Sequence, residues 1–372
     1  PNILDRYRQW FKRTLAGILG KTQDIFARSE WLLSLSFTPL MVPLWQAALS
    51  FKGNTAKSLA DAARLLGSKG DRPTFCFINL MGTHMPYHPP RRFMERFAPH
   101  VLADKAARRY LRQFNSDIYG WLAPLAAPLS DRDKATLDGM YDAEVASQDE
   151  QLGIFFEQLR ASGTLDNTLV IICADHGEHL GEKQLLGHTN ALYNELTQVP
   201  LIVRDPRGQF APGSIRPDAV STRRIFHTAL NAAGLATPAE ATLDLATTDA
   251  EDTIFAQGVP PQNVINLLRQ RQPELVRERA CDRTSVAVWD GTYKLQTKLA
   301  EDAIEPLEET LELYDIARDP GETLNLRDIL PEEVERLQEY LQGIDAKAAA
   351  ERADNLDDPE VIRRLRDLGY LE

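Results

Sequence analysis

The sequence predicts an α/β protein in which a parallel-type sheet is sandwiched by helices, with a smaller α+β subdomain after it. Three short runs, residues 74–80, 168–174 and 199–203, are apolar along their whole length. Because these runs lack the alternation of a half-exposed strand, they are typical of strands covered on both faces. Helical segments separate them, and strands that alternate with helices predict a parallel sheet with helices on both of its faces.

The helices of this region are indicated by spacing and by caps. Residues 58–66 have the pattern of a short helix. A longer helix is predicted to open at Ser130-Asp131, because apolar residues recur at helical spacing from there to Leu159. Ser162-Gly163 is expected to end it, since glycine favours the position just after a helix.

The pattern changes after about residue 245. Residues 285–295 predict a hairpin that turns at Asp290-Gly291, a dipeptide strongly preferred in tight hairpin turns. Residues 311–316 are compatible with a further strand, and residues 331–342 and 359–368 with charged helices. This mixture predicts an α+β subdomain.

We therefore divide the chain into residues 1–52, a basic and apolar segment of uncertain role, residues 53–245, the α/β domain, and residues 246–372, the α+β subdomain. Residues 31–49 contain no charged residue, and this stretch is long enough to span a membrane. Pro39 and Pro43 interrupt this stretch, so we expect a buried segment or one at the rim of a substrate site. Peripheral membrane contact stays open as a weaker alternative.

The net charge limits the class of partner. It is −12, from 42 basic and 54 acidic residues, which argues against general nucleic-acid binding. We expect a small anionic substrate to be held by a local positive site, most simply a metal ion. The three cysteines have no metal-binding spacing. The compartment and the oligomeric state are left open.

The histidines are concentrated in two loops. His84 and His88 lie in one, and His176, His179 and His188 in the other, and each loop follows a predicted strand. Ligands of open α/β sheets bind outside the carboxyl ends of the strands. The two loops are therefore predicted to converge on one crevice.

Asp175 and His176 are adjacent at the end of a predicted strand. A carboxylate oxygen and an imidazole nitrogen presented side by side can bind one divalent cation, and Gly177 permits the sharp backbone course that this requires. A turn capped by Asp175 with a half-exposed histidine explains the tripeptide equally well.

Longer segments resemble sulfatases of the alkaline phosphatase superfamily. Residues 168–204 (TLVIICADHGEHLGEKQLLGHTNALYNELTQVPLIVR) resemble the metal-and-sulfate segment of that family, and residues 79–90 (NLMGTHMPYHPP) its other signature loop. Residues 141–153 resemble the helix between them, and the stretches LYDIARDPGETLNL and LRDLGYLE its closing subdomain. The resemblance covers most of the chain from about residue 53 and implies an alkaline-phosphatase-like fold.

The resemblance also implies roles for individual residues. Asp175 and His176 match two ligands of one divalent metal ion, Ca²⁺ or Mn²⁺, with Zn²⁺ also possible. His188 matches the basic residue that contacts the sulfate, and His84 the active-site histidine, so both are expected to act in catalysis and substrate binding. Lys183, which the resemblance does not match to a family residue, has two interpretations, a solvated loop charge and a residue that assists in binding the anionic ester.

The sequence departs from the family pattern in two places. The family's opening strand with two further Asp ligands, and the nucleophile after it, have no counterpart here, and none of the cysteines is followed by Pro-x-Arg. We therefore assign no nucleophile, expect that module to be missing, lost or supplied by another chain, and expect the chain alone to be inactive. His176 stands where many sulfatases have Asn, and imidazole suits Mn²⁺ or Zn²⁺ better than Ca²⁺.

Two alternatives to a sulfate ester hydrolase follow. The histidine form also resembles phosphate and phosphonate monoester hydrolases, and a phosphoglycerol transferase would use the same residues. A non-catalytic interaction protein built on the same fold is the alternative of another class.

The remaining polar residues of the loops receive structural interpretations. His88 is expected to pack in its loop, and His179 to contact substrate, to support a ligand from behind or to be exposed. Glu178 and Glu182 are interpreted as solvated loop charges, and Tyr193 as a residue that fixes the loop.

Overall fold

A computed structural model describes residues 52–68, 73–188, 191–247, 253–260, 262–300 and 306–341. The predictions for the segment before residue 52 and for a helix at 359–368 lie outside these residues. Within the described part, no helix combines the length and the apolar character needed to cross a membrane.

The larger part of the described chain is helical, with short strands. Its helices are α1 (Thr55–Leu66), α2 (Arg91–Phe97), α3 (Pro99–Ala103), α4 (Lys105–Phe114), α5 (Ile118–Leu122), α6 (Asp131–Ala161), α7 (Asn194–Thr197), α8 (Arg224–Ala232) and α9 (Pro238–Ala241). Its strands are β1 (Val170–Cys173), β2 (His179–Leu180), β3 (Leu186–Gly187) and β4 (Leu201–Arg204).

Helix α6 organises this part, and its prediction is confirmed. Ser130 caps it by accepting a hydrogen bond from the Asp133 backbone N–H (3.2 Å). Its first half packs on α2 and α4 and buries Leu137. Its second half buries Leu159 against α1. The helix thus carries two apolar clusters that support the loops at either side.

The predicted parallel sheet is not confirmed. Strand β1 pairs with β4 in antiparallel register, with Val170 opposite Arg204. Residues 74–80, predicted to be a strand, have no strand assignment, and Phe75 and Phe77 are 80% and 64% exposed. A strand requires a neighbour for its backbone hydrogen bonds, and within the described residues this segment pairs with none. The prediction that both faces of the strand are covered is also wrong for β4, where Ile202 is 58% exposed.

The C-terminal part is an antiparallel sheet with helices packed on it. It comprises β5 (Ile254–Gly258), α10 (Gln262–Arg271), α11 (Pro273–Arg279), β6 (Ser285–Asp290), β7 (Tyr293–Lys298), β8 (Glu312–Asp315) and α12 (Pro331–Leu341), with strand order β5-β6-β7-β8. The predicted hairpin is confirmed, because Asp290 pairs with Tyr293 and Gly291 takes a positive φ of 61°. The strand predicted at 311–316 and the helix predicted at 331–342 are also present.

Candidate active site

Three histidine rings from the two predicted loops meet in one cluster. The rings of His176 and His188 are stacked with centroids 4.3 Å apart. His84 lies edge-on to both, at 4.9 Å from His188 and 6.4 Å from His176. We call these three residues the histidine cluster. Asp175, which follows β1 after Ala174, adjoins it through His176.

The turn that carries Asp175 and His176 is held against a second loop. The Gly177 backbone N–H donates to the Leu196 carbonyl at 2.8 Å. A Cβ atom at Gly177 would lie 2.0 Å from the carbonyl oxygen of Glu195, where no side chain fits. Glycine is therefore required here by close backbone approach, and this contact fixes where the two neighbouring side chains emerge.

Asp175 and His176 fit the ligand role in two respects. The His176 Nδ1–H donates to the Gly177 carbonyl at 2.8 Å, which leaves a lone pair on Nε2. Metal-bound histidines usually have their second nitrogen engaged in this way. Nε2 lies 3.8 Å from Asp175 Oδ2, and two donors about 2.2 Å from one ion can be up to about 4.4 Å apart. Within the described residues no third His, Cys, Asp or Glu completes a metal-binding group.

The other two histidines also use Nδ1 for internal hydrogen bonds. His84 Nδ1–H donates to the Met85 carbonyl at 2.5 Å, and His188 Nδ1 bonds Glu178 Oε1 at 2.8 Å. Burial, opposed by the Met85 hydrogen bond, lowers the pKa of His84. In all three rings Nδ1 is therefore engaged within the protein.

Glu178 corrects one expectation. Its side chain is 4% exposed, so it is a buried partner of His188 rather than a solvated loop charge. The reason is the short β2–β3 ladder, in which His179 lies opposite Gly187 and therefore places residues 178 and 188 side by side. Two strands of two residues leave no periodic signal in the sequence, so this pairing could not have been anticipated from it.

The His84 loop is anchored by residues that the sequence did not single out. Asn115 bonds both backbone groups of Tyr87, at 3.0 Å to its N–H and 2.9 Å to its carbonyl. Glu144, on α6, accepts from the His88 backbone N–H and from Lys52 Nζ, each at 2.7 Å. These are contacts between distant parts of the chain, which local patterns do not reveal.

Lys183 and His179 lie in other surroundings. Lys183 Nζ donates to the Glu322 carbonyl and lies 5.2 Å from the centroid of the Tyr193 ring, so its contacts join the loop to the C-terminal part. Its predicted contact with substrate stays a prediction. His179 is fully buried, which excludes the exposed interpretation, and neither ring nitrogen has a partner within the described residues. Burial lowers its pKa to about 4.

The loop after the histidine cluster is docked on the C-terminal sheet. Lys294 Nζ, on β7, pairs with Glu322 Oε1 at 2.6 Å, and both side chains are fully buried. The other oxygen of Glu322 accepts from the Asn194 backbone N–H at 2.6 Å. The Tyr193 hydroxyl donates to Glu312 at 2.9 Å, in line with its expected role of fixing the loop. The C-terminal sheet thus supports the loop segment that presses on Gly177.

The separate comparisons with known proteins agree on one family. The sequence model of the sulfatase family matches residues 25–235, more than half of the chain. The chain is 28% identical over 350 residues to mouse steryl-sulfatase, which covers 84% of this chain and 53% of that protein. It is 28% identical over 188 residues to choline-sulfatase of Rhizobium meliloti, covering 50% of this chain and 32% of that protein.

A solved structure shows the same fold. The phosphonate monoester hydrolase of Agrobacterium radiobacter superposes with a TM-score of 0.52 at 22% identity, covering 85% of this chain and 60% of that chain. The curated relatives are longer than the matched region, since the chain spans 28% of an Escherichia coli sulfatase, YidJ, and 53% of the mouse protein.

Proposed function

Because the chain belongs to the sulfatase family, we propose that it is part of a metal-dependent hydrolase of sulfate esters. The observation that carries this proposal is the histidine cluster beside Asp175, in which three imidazoles from two loops meet and each Nδ1 is held by a hydrogen bond. A site that offers two ligands to a metal ion and two further imidazoles is suited to binding a small tetrahedral anion.

The chain's own residues would divide the work. Asp175 and His176 would supply two ligands to one divalent ion, and a bound ion of this kind polarises an ester oxygen as a Lewis acid. Because Nδ1 already carries a hydrogen, His84 and His188 would donate hydrogen bonds from Nε2 to the transferring group, or protonate the leaving alcohol, in the doubly protonated imidazolium form, which histidine in general reaches near neutral pH. Lys183 would assist in attracting the anion. We assign no nucleophile.

Hydrolysis of phosphate or phosphonate monoesters is the second candidate. It is supported by the imidazole of His176 at the metal position, which favours Mn²⁺ or Zn²⁺, and by the common fold with a phosphonate monoester hydrolase. A non-catalytic interaction role remains the candidate of another class.

Parallel assays distinguish these functions. The full-length product of the gene is incubated with an aryl sulfate, an aryl phosphate and a phosphonate ester, each with added Ca²⁺, Mn²⁺ or Zn²⁺. We expect the highest kcat/KM on the sulfate, and a loss of about 100-fold or more in His84→Gln and His188→Gln. His100→Gln, outside the cluster, is the matched control. Preference for a phosphorus ester supports the second candidate, and absence of turnover on all three esters rejects both enzymatic proposals.

A further inference from the structure

We propose that Glu178 is a positioning residue, which fixes the orientation of the His188 ring and keeps a hydrogen on Nδ1, so that Nε2 is the nitrogen that faces the proposed substrate site. The role rests on the proposed function of His188. Glu178 would belong to a site otherwise built from the histidine cluster, and it would not itself contact the substrate.

The geometry of the pair carries the argument. Glu178 Oε1 lies 2.8 Å from His188 Nδ1, and its side chain is 4% exposed whereas that of His188 is 29% exposed. A carboxylate only accepts hydrogen bonds, so the hydrogen between these atoms belongs to the imidazole. A rotation of the ring by 180° would leave a buried carboxylate oxygen without this donor, which is costly.

Glu178 is itself held in place from the other loop. Its second oxygen accepts from the Tyr87 hydroxyl at 3.4 Å. Burial, followed by the charge of Glu178, raises the pKa of Tyr87, so the phenol stays protonated and can donate. Asn115 in turn holds the Tyr87 backbone through two hydrogen bonds. The carboxylate is thus supported on a rigid base, which a positioning group requires.

Backbone pairing supplies the second constraint. The β2–β3 register places residues 178 and 188 side by side just beyond the His179–Gly187 pair. The backbone therefore presents the two side chains to each other, and the hydrogen bond selects one ring orientation and one tautomer. Stacking on His176 at 4.3 Å restricts the remaining motion of the His188 ring.

The test begins with a readout that needs no turnover. Two-bond ¹H–¹⁵N correlation spectra of protein with ¹⁵N-labelled histidine report the tautomer of each of the seven rings, and His188→Gln assigns the signal. We expect the Nδ1–H form in the wild type and its loss or mixture with the Nε2–H form in Glu178→Leu. Glu182→Gln is the matched control, since Glu182 lies in the same loop but bonds the Leu180 N–H and Lys134.

A milder variant covers the case in which Glu178→Leu does not fold. Glu178→Gln keeps the size of the side chain and can still accept from Nδ1–H, but a neutral amide is a weaker acceptor than a carboxylate. We expect its Nδ1–H proton resonance to move upfield relative to the wild type. An unchanged His188 spectrum in Glu178→Gln or Glu178→Leu overturns the proposal, as does an equal change in Glu182→Gln.

A double-mutant cycle separates positioning from general damage. We expect Glu178→Leu to lower kcat on the best ester by about 10–100-fold, the usual range for a residue that orients a site group. In the His188→Gln background the same change should have little further effect, because the residue acts through His188. An equal loss in both backgrounds overturns the proposal. If the wild type hydrolyses no ester, the proposed function fails while the tautomer result still decides the role of Glu178.

Discussion

Replacement of Glu322 by Gln tests whether the C-terminal sheet supports the site. Lys294 and Glu322 are both fully buried, so the change leaves an ammonium group without its counter-ion in the interior. Removing one member of a buried ion pair costs about 3–5 kcal/mol. The new amide can still accept from the Asn194 N–H, and burial already lowers the pKa of Lys294, so the lysine can lose its proton. We therefore expect Glu322→Gln to lower the free energy of unfolding by an amount at the lower end of this range, about 3 kcal/mol.

The assay is urea unfolding followed by circular dichroism, with the free energy taken from the midpoint and slope. Glu274→Gln is the control, because its partner Arg277 and Glu274 itself are 72% and 76% exposed and such pairs contribute about 0–1 kcal/mol. The double variant Lys294→Met with Glu322→Gln should recover most of the loss, since it removes the unpaired charge. A loss below about 1 kcal/mol in Glu322→Gln, or additive losses in the double variant, would refute the reasoning.

Three further predictions concern the site. Gly177→Ala should reduce bound metal and turnover together, because the added methyl group meets the Glu195 carbonyl, and undiminished metal content would contradict this. Asp175→Ala and His176→Ala should each lower metal content by mass spectrometry, whereas full metal content with full activity in both would end the ligand assignment. His179 has a folded pKa of about 4, below its unfolded value of about 6.5, so the unfolded state takes up the proton first. The contribution of His179 to the free energy of unfolding should be fully present above about pH 6.5 and fall by about 3 kcal/mol toward pH 4. His179→Leu should flatten this pH dependence, measured by urea unfolding. An unchanged dependence of the unfolding free energy on pH would contradict the assignment.

Local signals predicted the elements that depend on local structure. The cap at Ser130 and the turn at Gly291 are encoded within a few residues, and both helix and hairpin are present. The parallel sheet depended on pairing between distant segments, which spacing alone does not specify, and β1 pairs with β4 in antiparallel register. The histidine cluster lies where two loops after predicted strands were expected to meet. The sequence did not single out Asn115 and predicted a solvated charge at Glu178, because their roles arise from tertiary contacts with the Tyr87 backbone and with His188.

The docking of the loop on the C-terminal sheet has a consequence for recombination between relatives. Glu322 accepts from Asn194 while it pairs with Lys294, so one buried carboxylate joins a loop of the first part to a strand of the second. A crossover between residues 294 and 322 would separate this acid from its base and could leave an uncompensated charge in the interior. A crossover before residue 294 moves Lys294 and Glu322 together, and the first part then has to supply only the backbone N–H of residue 194. Successful crossovers should therefore fall outside the interval from residue 294 to residue 322.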